Sequence, residues 1–190
     1  TYVYAGTCRN LTEAERAAQT RDPAFRVQVP ERIWEFTDRI QGTYRENLAT
    51  DCGDFVVRRA DGVYVYQLAV TVDDGEAGVT QVVRGRDLLS SAPRQMYLQE
   101  LFGFTHPEYA HVPMLLAPDG RRLSKRDRDL DLGELRNVMT AETLLGSLAC
   151  SAGILEKSVP ISAKELATEF SWEKLRKEDI CLDGGIFLAL

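Results

Sequence analysis

The residues best suited to chemistry form a short basic loop, Arg121-Arg122-Leu123-Ser124-Lys125-Arg126-Asp127, which follows an apolar run and a Pro118-Asp119-Gly120 turn. Cations gathered at a fixed turn suit a reaction in which negative charge builds on phosphate oxygens, because preorganised positive charge lowers such a barrier. Taken alone, such a loop is usually a solvated or weakly RNA-contacting surface. In YVYQLAVTVDDGEAGVTQVVRGRDLL, Tyr66 reads on residue type alone more readily as a core aromatic and Arg84 as a strand-end ion pair. With only His106 and His111 in the chain, a histidine-based triad or a multi-histidine metal site is not expected. Asp73-Asp74 beside Gly75 reads as turn solvation, and Arg58-Arg59 as a surface pair with at most a phosphate contact.

These groups sit in a chain of 190 residues with 44% apolar and 27% charged residues, enough for one ordinary domain with its own core. No apolar run reaches the length of a membrane span, so a membrane location is not expected. The four cysteines, Cys8, Cys52, Cys150 and Cys181, lack CxxC spacing, which points to a reducing cytoplasm rather than a secreted disulfide framework. A net charge of −6 offers no global pull on nucleic acid, so any RNA contact must be local. The charge is in fact regional. Arg121 to Asp129 holds five basic and two acidic residues, whereas Leu130 to Leu190 holds ten acidic and six basic.

The elements that must position these groups are legible in outline. Asn10 and Glu13 have capping-box spacing and predict a helix ending near Arg21. Pro23, Pro30 and Gly42 break Phe25 to Asn47 into short strands and turns. Phe55 to Val57, closed by Ala60-Asp61-Gly62, predicts a hairpin into Val63 to Tyr66, and Leu68 to Val72 is either strand or buried helix. Val79 to Val83 reads as a strand and Leu88 to Phe102 as an amphipathic helix with Ser91 and Pro93 in its first turn. His111 to Ala117 is a further strand. Helices follow over Leu132 to Val138, Ala141 to Ala152 and Ala163 to Phe170, the last behind a Ser162 to Glu165 capping box. Strand, helix, strand, basic loop and helical tail is the pattern of an α/β fold, the second half of a doubly wound sheet whose ligands lie at the carboxyl ends of strands.

Arg122-Leu123-Ser124-Lys125-Arg126 resembles the KMSKS signature of class I aminoacyl-tRNA synthetases in the KLSKR form of the glutamyl branch. Tyr64 to Arg86 resembles the core of glutamyl and glutamyl-queuosine synthetases, and the resemblance spans nearly the whole chain. It implies a Rossmann-like nucleotide-binding domain with a small C-terminal helical extension. It also implies a ligase that activates glutamate with ATP, as its Mg2+ complex, and passes the glutamyl group to queuosine at the wobble position of tRNA-Asp. Lys125 is then the catalytic cation, with Arg122 and Ser124 beside it on ATP. Tyr66 and Arg84 hold glutamate, and the strand His111-Val112-Pro113-Met114-Leu115 reads adenine through backbone groups at Met114 and Leu115. Tyr4 and Cys8, in YAGTCR, correspond to half of a four-donor Zn2+ site. Two donors cannot hold zinc tightly, so zinc is expected to be absent unless another segment completes the set.

The resemblance divides the chain into a remnant of the zinc region (1–24), the C-terminal part of the catalytic domain with its insertion (25–120), and the signature loop with its helical tail (121–190). A HIGH-type motif and the rest of the glutamate pocket are expected to precede Thr1, so the chain alone is expected to have little activity. A monomer is expected. A truncated glutamate tRNA ligase charging tRNA-Glu, and a non-catalytic nucleotide- or tRNA-binding module, are the competing readings.

Overall fold

The computed structural model describes residues 3–123 and 132–181. In chain order the elements are α1 (Glu13–Ala17), β1 (Phe25–Val27), β2 (Ile33–Asp38), β3 (Gly42–Asn47), α2 (Leu48–Asp51), β4 (Phe55–Arg58), α3 (Tyr66–Glu76) and β5 (Gln81–Gly85). A 3-10 turn (Arg86–Ser91) leads into α4 (Ala92–Phe102), β6 (Glu108–Val112), β7 (Leu115–Leu116), α5 (Leu132–Leu135), α6 (Ala141–Ser151), α7 (Ala163–Glu169) and β8 (Ile180–Cys181). They fall into two units. The first comprises Thr1–Asp38, Gly42–Val82 and Leu88–Tyr109, and the second Arg39–Gln41, Val83–Asp87 and Ala110–Leu190.

In the first unit, two overlapping cap signals compete at the amino end, and the later one forms. The Thr12 hydroxyl accepts from the Glu15 amide and the Glu15 carboxylate accepts from the Thr12 amide, so α1 starts three residues before Glu15 rather than at Asn10. The helix stops at Ala17, short of the expected Arg21. Strands β2 and β3 form an antiparallel hairpin in continuous register from Ile33 opposite Asn47 to Asp38 opposite Gly42. Gly42 takes φ of 80° at its return, a conformation that favours glycine. The core gathers Trp34, Leu48, Ala92, Met96 and Tyr109, all buried, with Phe36 tilted against Tyr109 at 5.3 Å between ring centroids.

The hairpin expected across Ala60-Asp61-Gly62 is short. β4 meets Tyr64 in a single antiparallel bridge, and Tyr66 opens helix α3 instead of continuing the strand. The reason is packing. Gly75 leaves room for the Phe104 ring against α3, and the Gln67 side chain donates to the Ser91 hydroxyl at 2.9 Å and accepts from the Gln95 amide at 2.9 Å. The Leu68 to Val72 stretch, open between strand and helix in the sequence, is thereby helical. Helix α4 begins with Pro93 in its first turn, as expected, and ends at Gly103 with φ of 74°. Strands β5 and β6 pair across α4. The Glu108 amide donates to the Thr80 carbonyl, and side-chain bonds join Gln81 to Glu108 and Arg84 to His111, partners that advance in the same direction as in a parallel strand–helix–strand crossover.

In the second unit the apolar run from His111 to Ala117 is two strands rather than one, because Pro113 lacks the amide a continuous ladder needs. β7 instead pairs in parallel with β8, Leu115 opposite Ile180 and Leu116 opposite Cys181. Helices α6 and α7 carry caps at Thr140 and Ser162, the latter in the expected capping box with Glu165. Their connection is tight. The Ile161 amide donates to the Glu142 carbonyl, the Ser147 and Ser158 hydroxyls bond at 2.9 Å, and a side chain at Gly146 would run into the Val159 carbonyl. Substituting Gly146→Ala is expected to lower stability by about 1–3 kcal/mol, since the clash is with backbone that cannot rotate away. Urea unfolding of the two proteins measures this.

Candidate functional site

The ends of β5 and β6 bring together several of the residues singled out in the sequence, all within the second unit. Arg84 lies near the end of β5, where its Nε donates to the Nε2 of His111 at 3.0 Å. His111 is fully buried, and accepting at Nε2 places the proton of its neutral ring on Nδ1. The carbonyl of His111 in turn accepts from the Gln41 side-chain amide at 3.0 Å. The guanidinium of Arg84 is thus fixed through one of its nitrogens by a neutral acceptor, which orients it without a carboxylate at that nitrogen.

The turn that follows is held from two sides. Gly85 presses on the next segment, since a Cβ there would lie 3.1 Å from the Met114 sulfur and 2.6 Å from an Asp87 carboxylate oxygen. Arg86 pairs with Asp179 at 2.6 Å, and Asp87 pairs with Arg122 at 2.7 Å. Arg122 also forms an antiparallel bridge to Leu116, which seats the first residue of the basic signature against β7. Met114 and Leu115 are therefore neighbours of the Arg84 turn and of Arg122. The Met114 amide donates to Asp179 at 2.8 Å, and its carbonyl accepts from the Ile180 amide at 2.8 Å.

The remaining sequence candidates stand elsewhere. Ser124 and Lys125 lie outside the described residues. Tyr66 belongs to the first unit, where it is half exposed in the first turn of α3. Tyr4 and Cys8 share that unit and are close to each other, the Cys8 amide donating to the Tyr4 hydroxyl at 2.8 Å, with the Arg26 guanidinium 4.1 Å above the Tyr4 ring. Among the described residues no three His, Cys, Asp or Glu side chains gather as a metal site, and a guanidinium over the phenol opposes a nearby cation. The donors present do not make a closed zinc site. Arg58 and Arg59 are engaged locally, Arg58 with the Gly62 carbonyl and Arg59 with Asp61.

Sequence reasoning missed Gln41 and Asp179. Neither lies in a motif, and nothing in the pattern around a lone Gln in a hairpin turn or an Asp near the carboxyl end marks it as a neighbour of Arg84 or Met114.

The match to a protein-family model decides the family, since it extends over residues 2–174 and is described as tRNA synthetases class I (E and Q), catalytic domain. The chain belongs to this family. Among curated relatives, it is 52% identical over 126 residues, 66% of this chain, to the glutamyl-Q tRNA(Asp) synthetase of Pseudomonas putida (strain W619), and spans 41% of that protein. It is 42% identical over 192 residues, 99% of this chain and 59% of the relative, to the glutamyl-Q tRNA(Asp) synthetase of Symbiobacterium thermophilum. The glutamate-tRNA synthetase of Elizabethkingia anophelis superposes with a TM-score of 0.78 at 25% identity, covering 98% of this chain and 43% of that one. The expected class I synthetase α/β fold is therefore observed. No helix among the described residues is long and apolar enough to cross a membrane.

The class I catalytic domain gives the Gly85 turn a definite prediction. Gly85→Ala is expected to cost less than about 1 kcal/mol, because the Asp87 carboxylate and the Met114 sulfur that a Cβ would meet end flexible side chains, whereas Gly146→Ala meets backbone and costs more. Thermal unfolding of both variants checks the contrast.

Proposed function

We propose that the protein carrying this chain activates glutamate with ATP and transfers the glutamyl group to queuosine of tRNA-Asp. The observation that carries this reading is Arg84, held by His111 at the end of a strand and next to the Met114 turn and Arg122, in a chain whose curated relatives are named for that activity. In the first step the glutamate carboxylate attacks the α-phosphorus of ATP, and pyrophosphate leaves with the charge that accumulates on its oxygens. Arg122 and Lys125 are assigned to that charge, with Ser124 beside them, and Mg2+ enters as part of the ATP substrate. Arg84 is assigned to a carboxylate of the amino acid, and Tyr66 separately to amino-acid binding, as the resemblance implies. Met114 lines the nucleotide side without the expected backbone reading of adenine, because its amide and carbonyl are bonded to Asp179 and Ile180, and Leu115 lies beside it. In the second step the modified base attacks the acyl carbon and AMP leaves.

The partner is anionic while the chain is net acidic, so contact with tRNA is assigned to local basic surfaces. One is the 121–128 loop. Another is a hollow of about 890 Å3 in the first unit, where Arg9, Arg16, Arg21 and Arg26 outnumber Asp22 and Asp54. Zinc, if bound by the whole protein through Tyr4 and Cys8, would be structural, and no step here passes through it. A monomer working in the cytoplasm completes the reading.

Glutamate-dependent exchange of pyrophosphate into ATP, measured on the protein as the cell makes it, tests the first step. Arg84→Ala and Lys125→Ala are each expected to reduce exchange by roughly 100-fold or more, the scale on which a preorganised transition-state contact acts. No exchange in the wild type would favour a nucleotide- or tRNA-binding module. Charging of tRNA-Asp only when it carries queuosine is the expected result of the second assay. Charging of tRNA-Glu instead would favour a glutamate tRNA ligase, the activity named for the structural neighbours.

A further inference from the structure

The segment Lys177–Cys181 makes more bonds to the Arg84 and Met114 region than strand pairing requires. The two carboxylate oxygens of Asp179 are divided between two partners. Oδ1 accepts from the Met114 amide at 2.8 Å, and Oδ2 accepts from Arg86 Nη2 at 2.6 Å. The next residue, Ile180, donates its amide to the Met114 carbonyl at 2.8 Å, so both backbone polar groups of Met114 are committed to consecutive residues of this segment. The Cys181 thiol donates to the Ala117 carbonyl at 3.2 Å, and Gln41 joins the Lys177 carbonyl at 3.2 Å to the His111 carbonyl at 3.0 Å.

Two routes therefore lead from one five-residue segment to the two sides of the site. Asp179 acts on the Met114 segment between β6 and β7 and on the Arg86 turn. Gln41 acts on His111, whose ring fixes Arg84. The carboxylate is only about one-fifth exposed, and a charged bond made in such surroundings is stronger than its solvent-facing equivalent. We propose that Lys177–Cys181 is a built part of the substrate site, with Asp179 the positioning residue for the nucleotide side and Gln41 the positioning residue for the amino-acid side. Neither touches substrate. Each sets where a residue that does so must stand, and the assignment of those sides rests on the functional reading given above.

The two routes differ in what they should perturb, which separates positioning from plain structural support. In pyrophosphate exchange on the protein as the cell makes it, Asp179→Ala is expected to raise KM for ATP roughly tenfold with little change in KM for glutamate. Gln41→Ala is expected to do the reverse, and Asp179→Glu to recover part of the ATP effect. Equal changes in both KM values, or a fall in kcat alone that tracks lost folded protein, would overturn the proposal while leaving the activity intact. A wild-type protein without exchange would instead sink the functional reading. The clip is then judged by hydrogen exchange, where Asp179→Ala is expected to deprotect the Met114 amide; unchanged protection there overturns it.

Discussion

Each guanidinium of the turn that carries Arg84 and Arg86 is held by a group distant in sequence, and the contacts around the turn build on these two bonds. The two holders differ in kind. Arg86 receives a carboxylate, Asp179, from a segment more than ninety residues away, whereas Arg84 receives at Nε a neutral imidazole. The imidazole nitrogen orients Arg84 at Nε, as the carboxylate orients Arg86 at Nη2.

The same turn packs closely. Gly85 lies against the Met114 sulfur and an Asp87 carboxylate oxygen, so a Cβ there would displace both side chains. Asp87 then reaches Arg122, which is itself bridged to Leu116. Arg122, the turn bearing Arg84 and the Met114 segment between β6 and β7 thus form one connected array, assembled by two aspartates. Each ion pair is partly exposed and weak as a source of stability. Their value lies in geometry, since they fix where Arg122 stands relative to the Arg84 turn.

Much of this was legible in the sequence, and the failures have distinct physical causes. Periodicity and punctuation located the strand before Arg84, the helix after it with Pro93 in its first turn, and the Ser162 capping box, because those signals are local. Tyr66 was placed on a strand although it starts α3, since the β-branched residues of that stretch mimic strand chemistry and only the packing against Ser91, Gln95 and Phe104 decides for helix. The split of the 111–117 run at Pro113 was foreseeable from the missing amide. The choice of Thr12 over Asn10 was not, because both have an acidic residue at the right spacing and only one box can close.

Asp179 and Gln41 represent a different limit. Motifs reveal residues that touch a ligand, since those residue types are constrained by the ligand's chemistry wherever they occur. A residue that positions another is constrained only by the fold around it, and its partners are scattered. Asp179 could be exchanged for any acceptor that reaches an amide and a guanidinium at once, so no local pattern announces it. This explains why the five residues with the densest bonding to the site lie in a stretch whose composition reads as an ordinary acidic tail. It also gives that tail a role beyond covering apolar surface, because β8 pairs with β7 and its Ile180 amide satisfies the carbonyl of Met114.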